Sequence, residues 1–250
     1  MLKEKEMTSE EIANKRNEWI KKVWLEELPV HCVKAGYVPD WAKRAPMWSC
    51  PTDFDVNKPI VICGINPGYN PKKQDPHCRL PTGYLPRMVN IDKTDHSVIT
   101  QSNTHRYFGP YRRMIGENIR FYDLLPMRES SMASVRNDYR KGFKVFIDNL
   151  LHLHMNWLRL SNPKIVWMHT AWAMELIGCK NNSTTKRFPG KPAISDSVNC
   201  FYWEPQFWGY KGNLLLFKGD QLCGTRSASV PTRNRLLRDW QKCINDIGIV

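Results

Sequence analysis

The stretch Pro59–Gly64, PIVICG, constrains the fold more than any other. It is a short, unbroken apolar run rich in β-branched residues, closed by a proline before it and a glycine after it. A strand with one wet face alternates polar and apolar residues. One without alternation must be covered on both faces, as central strands of parallel sheets are. IRFYDLL (119–125), KIVWMHT (164–170), NCFYW (199–203) and NLLLFKG (213–219) read as further strands. Helical patterns lie near 108–117, over 134–160, over AWAMELIG (171–178, ended by Gly178) and over 230–248. The 134–160 stretch carries Phe143, Phe146, Ile147, Leu150, Leu151, His154, Trp157 and Leu158 along one side. Strands alternating with helices predict an α/β fold, a three-layer α/β/α sandwich around a central, mostly parallel sheet. Thr8 with Glu11 three residues on is a capping-box signal that starts an N-terminal helix. Residues 29–58, rich in Pro and Trp, read as irregular. The domain reading is therefore an N-terminal helical addition over 1–57 and a main α/β domain over 58–250.

Charge narrows the partners. The 250 residues hold 37 Lys plus Arg against 24 Asp plus Glu, a formal net of +13. Residues 1–27 are close to neutral, with six basic and seven acidic side chains. Residues 105–144 carry nine basic against four acidic, and 211–242 seven against two. A basic excess held in segments favours a polyanion, DNA or RNA first, over a merely basic surface. No apolar run reaches the ~20 residues of a membrane helix, so no membrane partner is expected. The charged N-terminus lacks a secretion-signal core, which predicts a cytoplasmic protein. The eight cysteines form no CxxC pair, and the seven histidines no HExxH; they predict buried thiols and no metal.

In doubly wound sheets, ligands bind beyond the carboxyl ends of the strands. Three such ends stand out: GINPGY (64–69), YDLLPMRES (122–130) and GDQLCGTRSAS (219–229). GINPG lacks the lysine and length of a phosphate loop. It supplies a tight turn whose backbone approaches a ligand closely, plus one short amide, Asn66. By itself it is equally a strand-to-loop turn in which Asn66 bonds its own backbone. GINPG resembles motif 1 of the uracil-DNA glycosylase superfamily, closest to the mismatch-specific uracil/thymine and single-strand-selective branches. THRYFGPYRRMIG (104–116), FYDLLP (121–126) and GTRSASVPTR (224–233) resemble, more loosely, the elements that follow it. The order and spacing fit over residues 58–245. QDPH (74–77) mimics another motif of the superfamily but lies too far downstream, so it reads as coincidence.

The resemblance implies a monofunctional DNA glycosylase without a cofactor. Such an enzyme flips a base out of the stack, stabilises it as a leaving group and lets water attack the sugar. Asn66 would hold the water. Gly64, Ile65, Pro67 and Gly68 would shape the pocket, and Tyr107 or Phe108, with Phe108 favoured, would stack on the base. In the GTRSAS loop Thr225 takes the place of the usual His or Asn, and Ser227 keeps the Ser. Arg226 would contact phosphate or fill the gap left by the base, a wedge that Val230 could also supply, with Arg112, Arg113, Ser229 and Arg233 as further DNA contacts. For any one arginine a solvated basic face serves as well.

Asp123 is the informative departure, since the superfamily usually has Asn there to read uracil. An ionised Asp only accepts hydrogen bonds, which suits the exocyclic amine of a cytosine-type base. Excising ordinary cytosine would destroy the host genome, so the expected substrate is a modified, hypermodified cytosine in foreign DNA such as that of a phage. Alternatively Asp123 caps a helix or pairs with Arg128. The competing functions are a uracil or mismatched-thymine repair enzyme and a catalytically inactive DNA-binding module of the same fold. A monomer is expected in each case. No GxSxG elbow supports an α/β-hydrolase.

Overall fold

A computed structural model describes residues 7–65, 108–129, 131–169, 171–177, 191–192, 200–203, 214–219, 222, 229–246 and 248. They fall into two compact units. The first holds the described residues within 1–54, 65–97 and 123–161, the second those within 55–64, 98–122 and 162–250. The first change of unit falls after Phe54. The same unit then takes up 123–161.

The second unit carries the sheet. β1 (Ile60–Gly64), β2 (Ile119–Asp123), β3 (Ile165–Met168), β4 (Lys191–Pro192), β5 (Cys200–Trp203) and β6 (Leu214–Lys218) are ordered β2-β1-β3-β6-β5-β4. The central four strands are all parallel, and β5 and β4 extend the sheet antiparallel. The register sets Ile60 beside Ile165, Ile62 beside Trp167, and Trp167 beside Phe217. Along one face Ile60, Ile62, Ile119, Phe121, Ile165, Trp167 and Phe217 form a core with Tyr111 of the helix α3 (Phe108–Ile115). Leu236, Trp240, Cys243 and Ile244 of the C-terminal helix join it, a stripe of period near 3.6. Val61, Cys63, Tyr122, Val166, Met168 and Leu216 point to the opposite face and are buried too. This is the α/β fold expected, a parallel centre flanked by helices and consistent with three α/β/α layers.

The first unit is helical. α1 (Ser9–Lys22) opens with the expected capping box: Glu11 N–H donates to Thr8 Oγ1 at 3.2 Å, and Thr8 N–H to Glu11 Oε2 at 2.7 Å. The chain continues through a π-helical turn, Val23–Glu27, into α2 (Leu28–Ala35). Residues 29–58 are thus not wholly irregular. Pro29 sits in the first turn of α2, where its missing N–H costs nothing. The continuous helix expected over 134–160 is also corrected. It divides into α4 (Met132–Asp138), a π turn (Tyr139–Phe143) and α5 (Lys144–Leu160). Gly142 makes the break, at φ 148°, a region closed to side chains; a Cβ there would meet Ala35 Cβ at 3.2 Å. Trp24, Trp41, Phe143 and Phe146 pack with ring centroids 5.4–6.3 Å apart, and Trp41 Nε1 donates to Asp138 at 3.0 Å. The segment after α2 is pinned by polar contacts: Arg44 bonds Glu129 and the Arg128 carbonyl, and Asn17 and Ser49 exchange two hydrogen bonds.

Two further helices among the described residues are α6 (Ala171–Leu176) and α7 (Val230–Asp246). Cys32, Cys50, Cys63 and Cys243 are buried free thiols, as expected. No described helix is long and apolar enough to cross a membrane.

Candidate functional site at the strand ends

β1 and β2 lie side by side and run in the same direction, so their carboxyl ends share one edge of the sheet. β1 ends at Gly64, and Ile65 follows, 4% exposed. β2 ends at Asp123. Beyond them the pairing continues: Leu125 N–H donates to the Ile65 carbonyl at 2.7 Å. That bond fixes the residue before Asn66 against the segment after Asp123. Asn66, Pro67, Gly68, Tyr107, Thr225, Arg226 and Ser227 lie outside the described residues, as do the 69–104 segment and QDPH.

Asp123 is partly buried, and among the described residues its carboxyl has no hydrogen-bond partner. Burial pushes its pKa up from 3.8 to about 7, the negative charge of Asp53 adds to the rise, and Arg16 opposes it. The expectation of a carboxylate that only accepts is therefore corrected. Near neutral pH the desolvated carboxyl is divided between its acid and its anion, and the acid also donates. Its charged neighbours are Asp53 and Arg16, rather than Arg128.

Those neighbours form a buried polar group the sequence reading did not single out. Arg16, on α1, is 1% exposed, and its Nη2 lies 2.9 Å from His154 Nε2 on α5. His154 Nδ1 lies 2.7 Å from the Leu150 carbonyl. Nδ1 therefore carries the proton, and Nε2 accepts from Arg16. Burial first, and the Arg16 charge second, hold His154 well below its ordinary pKa. Asp53 is 3% exposed and accepts from Cys50 N–H at 2.9 Å. One signal was present in the sequence. Arg16 falls on the Ile12, Ala13, Asn17, Ile20 stripe that α1 buries, and a charge on a buried stripe needs partners.

The linkage has a sign. The unfolded chain ionises Asp123 above about pH 4, while the folded chain keeps its proton until about pH 7. Asp123 therefore lowers stability progressively from pH 4 to 7, and the loss is complete above that. Asp123→Asn is expected to match wild type near pH 4 and to be more stable at pH 8 by a few kcal/mol, about 4 at most. Thermal unfolding of both proteins between pH 4 and 8 checks this. A constant difference across the range would refute it.

The other candidates divide. Phe108 packs edge-on against Phe121, centroids 4.5 Å apart, so core packing accounts for its ring. Arg112 was expected at phosphate. Instead it is buried, 2.9 Å from Glu117 Oε2, with its guanidinium 5.9 Å from the Phe121 ring centroid. Arg113 is exposed on α3. Ser229 is exposed where α7 begins; its Oγ accepts from Thr232 N–H at 3.5 Å, the work of a helix cap. Arg233 is partly exposed in the next turn. His169 follows β3, its ring 6.1 Å from that of Tyr111, and burial lowers its pKa to about 4, so it is neutral at physiological pH.

No family model matches the chain, and no curated protein is similar to it.

Proposed function

We propose that the chain is a monofunctional DNA glycosylase that excises a modified cytosine from foreign DNA and leaves an abasic site. The observation that carries this is the bond from Leu125 N–H to the Ile65 carbonyl, which ties the residue before Asn66 to the segment after Asp123. An amide that positions water and a carboxyl that reads a base edge would then work from one edge of a rigid sheet, as precise sites require. The ionised form of Asp123 supports a cytosine-type base, because it only accepts and meets the N4 amine, whereas the acid form fits cytosine and uracil alike. The basic excess over 105–144 and 211–242 supports a DNA partner. Asn66 holds the attacking water, and the base departs as the C1′–N1 bond breaks.

Mass spectrometry of bases released from phage genomes rich in hypermodified cytosine tests this, alongside duplexes bearing uracil or thymine opposite guanine. Release of the modified cytosine with matching abasic sites is expected. Release of uracil or thymine alone would replace the substrate. DNA binding with no release from any substrate would leave a binding module.

A further inference from the structure

We infer that the exposed face of the C-terminal helix α7 seats the phosphate backbone of duplex DNA, held by Arg235, Arg238 and Lys242. The inference shares a DNA partner with the glycosylase reading above and does not depend on base excision.

Packing decides which side of α7 is offered to a partner. Leu236, Trp240, Cys243 and Ile244 turn into the core of the sheet-bearing unit. Between Asn234 and Asn245 the exposed residues are Asn234, Arg235, Arg238, Gln241, Lys242 and Asn245. At the helical repeat they fall on one stripe about 120° wide, opposite the buried one. The stripe holds three cations, three amides and no acid. Asp239 is partly exposed at its rim. Gln241 Nε2 donates to Asn245 Oδ1 at 2.9 Å, which lays these amides along the stripe.

A helix face that only meets water interleaves both signs of charge. α1 does so: its exposed residues include Glu10, Glu11 and Glu18 with Lys15, Lys21 and Lys22. Pairs one turn apart then offset each other, as Lys22 with Glu26 and, on α5, Lys144 with Asp148. On α7 the cations instead stand three and four positions apart, spacings at which like charges weaken a helix. A polyanion laid along the stripe reverses that penalty. Arg235 to Lys242 spans about 10 Å of helix axis, and B-DNA presents about three phosphates per strand over that length. The amides can donate to phosphate oxygens as well. An anionic membrane fits less well. A helix that lies on a bilayer needs an apolar face to enter it, and α7 spends its apolar face on the core. A straight stripe of cations and amides suits a straight, rigid polyanion.

The test is the salt dependence of binding to a random-sequence duplex of about 20 base pairs containing only ordinary bases, between about 50 and 300 mM KCl. The variant Arg235→Gln/Arg238→Gln/Lys242→Gln removes the three charges and keeps good helix formers. Its log K against log salt is expected to be shallower than that of wild type by about 2 to 3, the loss of roughly three phosphate contacts. Its affinity at 100 mM is expected to fall at least tenfold. The control Lys15→Gln/Lys21→Gln/Lys22→Gln removes the same charge from α1 and is expected to change the slope by less than 1. Equal changes in the two variants would show an effect of net charge alone and overturn the inference. So would an unchanged slope in the α7 variant, failure of wild type to bind the duplex, or a loss confined to phosphatidylserine vesicles or to an RNA hairpin. Should the triple variant melt below wild type, Arg238→Gln alone carries the test, with an expected slope change near 1. Base release from phage DNA rich in hypermodified cytosine, measured in wild type, separates the two readings. Release together with an unchanged slope in the α7 variant overturns this surface and leaves the glycosylase. The expected slope change with no release from any substrate supports the surface and removes the glycosylase.

Discussion

Asn66→Ala is expected to lower the single-turnover rate of base release roughly a hundredfold or more, with little change in affinity for DNA. The proposed task of Asn66 is positional. An amide is too weak a base to deprotonate water, so its contribution is to hold the nucleophile on line with C1′ while the leaving group departs. Alanine removes the side-chain amide with its two polar atoms. DNA affinity is set mainly by phosphate contacts, which the change does not touch. Single-turnover release and binding to the same duplex, measured side by side, separate the two. Unchanged release would refute the role of Asn66. Parallel loss of binding would move Asn66 from chemistry to recognition.

The second large effect is on folding. Gly219→Ala is expected to destabilise the protein by roughly 3 kcal/mol or more, overpacking at the severe end of its range. Gly219 follows β6 directly, and its N–H donates to the Met168 carbonyl at 2.8 Å, continuing the β3–β6 pairing. A Cβ there would lie 1.9 Å from Trp167 Nε1 and 2.0 Å from Cε2. The indole cannot retreat, because it is fully buried and packed against Phe217 at 4.8 Å and Trp240 at 5.1 Å. The backbone cannot retreat without breaking the ladder. Urea unfolding of wild type and variant checks this. A midpoint unchanged within error would show that the Trp167 ring has room to shift. Gly142→Ala also strains the backbone, but at a kink between helices that has more freedom to adjust.

Much of the scaffold was legible because it obeys local rules. PIVICG lacks alternation, and a strand without alternation has no wet face to offer. Thr8 and Glu11 satisfy each other's backbone donors within four residues, so the start of α1 needs no tertiary help. The apolar stripe of α7 carries its own period. The misreadings occurred where distant chain decided. Pro29 ends a helix in isolation, yet a π turn lets the chain pass into α2 with that proline in its first turn. Gly142 in a strong helical pattern reads as a tolerated defect. The approach of Ala35 makes it a break.

The candidate site divides along the same line. Sequence alone put Gly64 and Ile65 at the end of an apolar run and Asp123 near the end of another, where the strand read as 119–125 stops at Asp123. It also fixed the supply of positive charge, a property of composition. It did not decide where that charge goes. Arg112 has the same local signature as Arg113, and only tertiary packing turns Arg112 inward to Glu117 and Phe121. Nor did it decide the state of Asp123. A carboxyl reads as ionised in any sequence, because its ordinary pKa is a property of the isolated group. Burial and an Asp53 that lies 70 positions earlier (123 − 53), against an Arg16 107 positions earlier (123 − 16) that opposes them, move it to about 7. Desolvation depends on what surrounds a group in space, and no local pattern encodes it.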